Sequence, residues 1–154
     1  MGECVFSRFP PPSGLPALPS LLGFLALPLL AAAAGAFAAA PGAAALPVPF
    51  PTLAMGCASA LLPAGLAAWR VWRRTGGGRA LRMWGWQMLP HAVWPPLLFT
   101  LGAPALATLA ALVMGGLAAT VARDFFRLDR VSAWLMLPAA VWAAAVLAFT
   151  LGFR

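Results

Sequence analysis

The sequence predicts an all-α protein, an integral membrane bundle of five transmembrane helices. Three observations carry that reading. Hydrophobic residues make up 63% of the 154-residue chain and charged residues only 8%, against about a quarter in a soluble domain, so a water-facing surface cannot be covered. Apolar stretches of about 20 residues, enough to cross a bilayer, recur along the chain. The ten basic residues are all Arg, and they gather between those stretches. That pattern is a topology signal, and it argues against a nucleic-acid partner.

Residues 1–19 are Pro-rich and read as an N-terminal tail; residues 20–154 read as one helical domain. The first span is 20–40. A cleaved signal peptide is the alternative there, because small residues at Ala36–Ala40 resemble a cleavage site; the long, nearly uncharged lead-in weighs against it. Residues 41–53 hold four Pro and no charge, and read as an interfacial loop. Span two covers about 54–72. Arg70, Arg73, Arg74, Arg79 and Arg82 follow around a turn at Gly76–Gly78, and Trp69 and Trp72 sit at the depth of an interfacial aromatic belt.

Span three covers about 83–101, where Pro90, Pro95 and Pro96 should kink the helix rather than break it. A turn at Gly102–Pro104 leads to span four, about 105–121, whose Ala and Gly allow close helix approach. Residues 123–130 read as a short amphipathic connector, with Asp129 capping span five, about 131–153. Alternation puts the 70–82 loop and the connector on one side. The positive-inside rule makes that side, and the N-terminus with it, cytoplasmic. The absence of Lys and Tyr, with abundant Ala, Gly, Pro and Arg, suggests a GC-rich bacterial genome and hence a bacterial inner membrane.

One stretch concentrates the polar chemistry of the spans. Trp84–Phe99, WGWQMLPHAVWPPLLF, contains the only His and the only Gln of the chain, and three of its seven Trp. Trp84, Gln87, His91 and Trp94 are spaced 3, 4 and 3 apart and share one helix face. Trp134, Pro138 and Trp142, spaced by four, share a face of span five. No Asp or Glu lies within these spans, so a carboxylate relay for proton or sodium coupling is missing. No nucleophile–base pair, phosphate loop or clustered metal ligand is present. Cys4 and Cys57 lie far apart, which points to neither a disulfide framework nor a metal site.

His91 has two readings. In one, a neutral imidazole bonds to a neighbouring helix and relieves its own burial. In the other it is the polar anchor of an intramembrane pocket, bonding a ligand or ligating a haem-type iron. Gln87 more often bonds across helices than to a ligand. The Trp side chains are packing and interface anchors by default, or the flat walls of a site for a planar ligand.

The segment QMLPHAVWPPLLF resembles the Q-L-x-x-N-x-x-W-[ST]-P-x-F-F motif of the TspO/MBR family, the tryptophan-rich sensory proteins related to the mitochondrial translocator protein (peripheral benzodiazepine receptor). Gln87, Trp94, Pro96 and Phe99 match. FFRLDRVSAWLMLPAAVWA is similar to the family's F-x-x-x-D-x-x-A-x-x-L-x-x-P-Y-x-x-W-A, with Phe125, Asp129, Ala133, Pro138, Trp142 and Ala143 in register. The resemblance covers roughly residues 20–154. His91 stands where the family has Asn, Ala139 where it has Tyr, Thr150 where it has a late Asn, and Cys57 where it has Trp. The first loop offers Pro47–Pro51, PVPFP, in place of W-x-P-P.

The resemblance implies a homodimeric five-helix bundle. It also implies binding of tetrapyrroles such as protoporphyrin and haem, in some members of sterols or benzodiazepine-like compounds, with roles in transport, sensing or porphyrin turnover. The site expected on this basis comprises His91, Gln87, Trp94, Trp142, Pro138 and Cys57. Trp94 and Trp142 would be aromatic walls, His91 the polar contact oriented by Gln87, and Cys57 the opposite side. No metal and no required cofactor is expected; porphyrin or haem is the candidate ligand. The expected partners are the lipid bilayer, a hydrophobic small molecule and a second copy of the chain, with no nucleic acid. Three functions stay open: a receptor or carrier for a planar hydrophobic ligand, a porphyrin-degrading enzyme using Trp redox chemistry, and a helical interaction subunit without a ligand.

Overall fold

The structure is a computed structural model and describes residues 17–45 and 50–152. Most of the N-terminal tail, Cys4, and positions 46–49 of the first loop lie outside the described residues. The elements are α1 (Ala17–Ala39), a 3-10 turn (Ala40–Ala45), α2 (Phe50–Thr75), α3 (Arg79–Phe99), α4 (Pro104–Leu128), α5 (Arg130–Trp134) and α6 (Leu137–Leu151). No strand occurs among the described residues.

Helix boundaries follow the backbone chemistry. Gly76, Gly77 and Gly78 adopt φ of 70°, 157° and 128°, a region that side chains disfavour, and they separate α2 from α3. Three boundaries differ from those read in the sequence. α2 begins at Phe50 inside the supposed loop, because Pro51 falls in its first turn, where the missing N–H costs nothing. The connector expected at 123–130 is mostly the end of α4, which runs to Leu128 and so includes Asp124. Span five is interrupted after Trp134. Pro138 has no N–H to offer the Trp134 carbonyl four residues back, and the chain makes a turn before α6. By contrast α3 runs unbroken through Pro90, Pro95 and Pro96.

Four segments are long and apolar enough to cross a membrane: Leu18–Gly42, Thr52–Thr75, Pro104–Leu128 and Arg130–Leu151. The chain is an integral membrane protein. α3, with 21 residues, spans about 30 Å at 1.5 Å per residue, but its Arg, Gln, His and Pro lower its hydropathy below that of the other four.

The helices close a ring. α1 packs on α2 and α3, α3 on α4, α4 on α5 and α6, and these two on α2. α2 and α3 therefore face each other across the interior and touch little. Small residues let the ring tighten: Ala60, Ala64, Ala67 and Ala68 of α2 are buried. At Gly35 of α1, an added Cβ would lie 2.8 Å from the Ala92 carbonyl oxygen of α3. That carbonyl has lost its helical donor to Pro96, so α1 covers a backbone group that the helix cannot satisfy alone.

A charged clamp fixes one end of the ring. Asp129 Oδ2 accepts from Arg70 Nε at 3.1 Å and from Ser132 Oγ at 2.6 Å. Arg74 Nη1 lies 3.0 Å from Oδ1, which also accepts from the Val131 N–H at 3.3 Å, the cap expected for this residue. Burial alone would raise the Asp129 carboxyl, but the Ser132 and Arg70 hydrogen bonds and the Arg70 and Arg74 charges outweigh it and hold it below the usual carboxylate range. The clamp puts the Arg-rich turn and the α4–α5 junction at the same end. Trp69 Nε1 donates to Ser20 Oγ at 3.2 Å and brings the start of α1 there too.

Candidate functional site

The α3 stripe faces inward. Trp84, Gln87, His91 and Trp94 are all buried, Gln87 and His91 completely. Their 3.6-residue periodicity is why one face carries all four. His91 Nδ1 lies 2.8 Å from the Gln87 backbone oxygen one turn earlier. A carbonyl only accepts, so Nδ1 carries the proton and donates, and in the neutral ring Nε2 keeps a lone pair. That Nε2 is buried and has no hydrogen-bond partner among the described residues. The same is true of both Gln87 amide atoms and of the indole nitrogens of Trp84, Trp94 and Trp142. Buried polar atoms are normally paired, so six orphans along one stripe and its neighbour call for a partner.

Trp142 enters the interior from α6 because α2 makes room at Gly56, where a Cβ would sit 2.6 Å from Trp142 Cζ3. Two cavities result. One, of about 20 Å³, is lined by His91, Cys57, Trp94, Pro95, Leu53 and Ala32 among others. The second, of about 140 Å³, is lined by Leu53, Trp94, Trp142, Ala145, Val146 and Phe149. Leu53 and Trp94 belong to both and so form the wall between them. The first has room for about one water. An outward groove of about 380 Å³ between α3 and α4, lined by Leu89, Val93, Leu97, Leu106, Leu109 and Val113, is wholly apolar and suits lipid chains.

Residues 24–154 match the model of the TspO/MBR family. The chain belongs to the TspO/MBR family. No curated protein matches it.

In this TspO/MBR protein the expected site residues divide. Cys57, His91 and Trp94 meet at the small cavity, and Cys57 is a free, buried thiol. Trp142 meets Trp94 at the neighbouring one. Gln87 sits one turn before His91 and holds it through its backbone carbonyl, while its side chain lines neither cavity. Pro138 is exposed in the first turn of α6 and lines neither cavity; its part is to end the preceding helix. Trp134 is 67% exposed, so the expected Trp134–Pro138–Trp142 stripe is broken with the helix. Leu53 and Gly56 were not foreseen. Leu53 looked like loop, and Gly56 carries no signal in an Ala-rich run. Among the described residues no three His, Cys, Asp or Glu gather to hold a metal ion.

Proposed function

We propose that the chain is a five-span receptor or carrier for a hydrophobic planar ligand, a tetrapyrrole, bound inside the helix ring. Membership of the TspO/MBR family supports a role in sterol or tetrapyrrole binding or transport in general. The observation that carries the narrower reading is the set of orphaned polar atoms on Gln87, His91, Trp94 and Trp142 around an aromatic, otherwise apolar interior. Such a lining suits a flat apolar ring with a few polar edges. α3 is the fifth span in this reading, and its polar stripe faces the ring interior instead of lipid. The Arg-rich end is cytoplasmic, in a bacterial inner membrane, and two copies pair as a homodimer.

Neither cavity approaches the ~300–1,000 Å³ of a drug-sized site. Movement of Leu53 and Trp94, the shared wall, would join the two cavities, but the joined space still falls short of that range, so entry of a tetrapyrrole requires the helices themselves to part. The smallness of the His91 cavity is also the observation that favours the rival, a helical subunit without a ligand. Titrating the purified protein with protoporphyrin IX separates them. Binding quenches Trp fluorescence and shifts porphyrin absorbance. Unchanged signals in both refute the receptor and leave the subunit.

A further inference from the structure

We propose that the outer face between α3 and α4 is a docking site for one anionic phospholipid, with Arg79, Arg82 and Arg127 on its phosphate and the apolar groove below them around an acyl chain. The site lies outside the helix ring and does not depend on what the interior binds.

The first ground is how the arginines are used. Eight Arg lie among the described residues, all at the end of the ring where Asp129 sits. Arg70 and Arg74 engage Asp129. Arg73 stacks over Trp69, 5.3 Å from the ring centre, and Arg130 over Phe126 at 5.6 Å. The other four, Arg79, Arg82, Arg123 and Arg127, are exposed and have no ion pair or ring contact among the described residues. One carboxylate, Asp124, stands near them on α4. A topology signal requires only that arginines lie on the right side of the membrane. It does not require the four unengaged ones to belong to the same two helices.

The second ground is register. α3 and α4 are antiparallel neighbours across a short turn, so Arg79, 20 residues before Phe99, stands level with Asp124, 20 residues after Pro104. On α3, Arg82, Trp86, Leu89, Val93 and Leu97 follow at spacings of 4, 3, 4 and 4 and form one outward stripe. On α4, Leu109, Val113, Thr120 and Arg127, spaced 4, 7 and 7, form its counterpart. The Leu and Val of both stripes line the apolar groove of about 380 Å³, so the cationic rim and the groove share a face. Leu89 lies 7 residues and Leu97 15 residues beyond Arg82, which places the groove from about 10 to about 22 Å below the rim at 1.5 Å per residue. One leaflet is about 20–22 Å deep, half of a bilayer of ~40–45 Å. The groove therefore lies where the chain of a lipid runs when its phosphate stands at the rim.

The third ground is charge complementarity. Arginine forks match phosphate oxygens in pairs, and basic pockets between membrane helices bind anionic head groups. A choline lipid brings its own cation to the phosphate; phosphatidylglycerol does not. α3 gives Arg79 and Arg82 no compensation of its own, because no acidic residue stands in its first turn and cations at that end oppose the helix dipole. A second copy of the chain is the poorer occupant of this face. Copies related by a twofold axis would set these arginines against their own counterparts. The α3 stripe also offers Trp, Leu and Val where close helix pairs use small residues.

The experiment uses the full chain in detergent micelles, with phosphatidylglycerol and phosphatidylcholine of the same acyl chains as probes, read by native mass spectrometry. The wild-type protein should carry one phosphatidylglycerol and bind it at least about tenfold more tightly than phosphatidylcholine, the scale of two or three arginines beside an anionic lipid. Arg79→Gln combined with Arg82→Gln should bring the preference within about twofold. Arg73→Gln combined with Arg130→Gln, the same loss of charge elsewhere on the rim, should keep it. Val93→Trp fills the groove and should weaken both lipids several-fold without touching the charge. No preference in the wild type overturns the proposal. Equal loss in the two double variants overturns it in favour of a diffuse cationic rim. Full binding in Val93→Trp, or displacement of the lipid by an equal concentration of glycerol 3-phosphate, leaves the groove idle and overturns it as well. Leu97→Cys chains that cross-link into dimers carrying no phosphatidylglycerol would seat a second copy on the face instead. Should the arginine variants not fold, salt decides on the wild type: the preference should vanish in about 1 M ammonium acetate, and one that persists refutes the arginine–phosphate contact.

Discussion

Replacing Asp129 should loosen one end of the ring by a computable amount. In Asp129→Ala the α5 cap is lost, at about 1 kcal/mol. Ser132 Oγ, completely buried, loses its partner, at about 1–2 kcal/mol. The ion pairs add less than a buried pair would, because Arg70 and Arg74 side chains are 33% and 53% exposed and can turn to water; together they contribute about 1 kcal/mol. The expected loss is about 3–4 kcal/mol. Asp129→Asn keeps one oxygen, for the Val131 N–H, while its NH2 takes the Oδ2 position, where it can donate to Ser132 Oγ but meets the Arg70 Nε–H, so about 1–2 kcal/mol is expected. Unfolding in mixed micelles, followed by Trp fluorescence, measures both. Equal losses in the two variants, or a change under about 0.5 kcal/mol in the Ala variant, would refute the assignment.

The same residue sets a pH dependence. Folding lowers the Asp129 carboxyl, so the unfolded chain binds the proton more readily. Its contribution is full above the unfolded value of about 3.9 and is lost as pH falls below it. Acidification below about pH 4 should destabilise the wild-type protein more steeply than Asp129→Asn.

Gly35→Ala should cost about 1–3 kcal/mol, because the new methyl meets a backbone oxygen at 2.8 Å and neither can rotate away; an unchanged melting temperature would show that α1 and α3 can part freely. Gln87→Leu removes two buried orphan atoms and keeps the backbone carbonyl that holds His91, so it should leave stability equal or raise it by about 1 kcal/mol; a clear loss of stability would mean that the amide is satisfied in the membrane.

The sequence made the helical class legible because bilayer physics is blunt: apolar length and Arg placement need no tertiary information. The inward face of α3 was legible for a similar reason, since spacing alone puts Trp84, Gln87, His91 and Trp94 together. The α5–α6 interruption was not. Pro90 and Pro95 leave α3 continuous, while Pro138 stands where a helix is interrupted, and a proline in the sequence does not by itself tell the two outcomes apart. Asp129 read as a cap, but its partners Arg70 and Arg74 are distant in sequence, and only the fold brings them to it. The wall formed by Leu53 and the room left by Gly56 depend on how α2 and α6 meet, which no local pattern encodes.

The clamp also has a consequence for biogenesis. Arg70 and Asp129 are 59 residues apart. At a synthesis rate of roughly 5–20 residues per second, the acid leaves the ribosome about 3–12 s after its first arginine. Through that interval the α1–α2 hairpin can already sit in the bilayer with Arg70 and Arg74 uncompensated, tolerable only because they end the helix at the water boundary. The joint between the two halves thus closes late, after α4 has threaded, and a chain released earlier keeps an unpaired cationic rim.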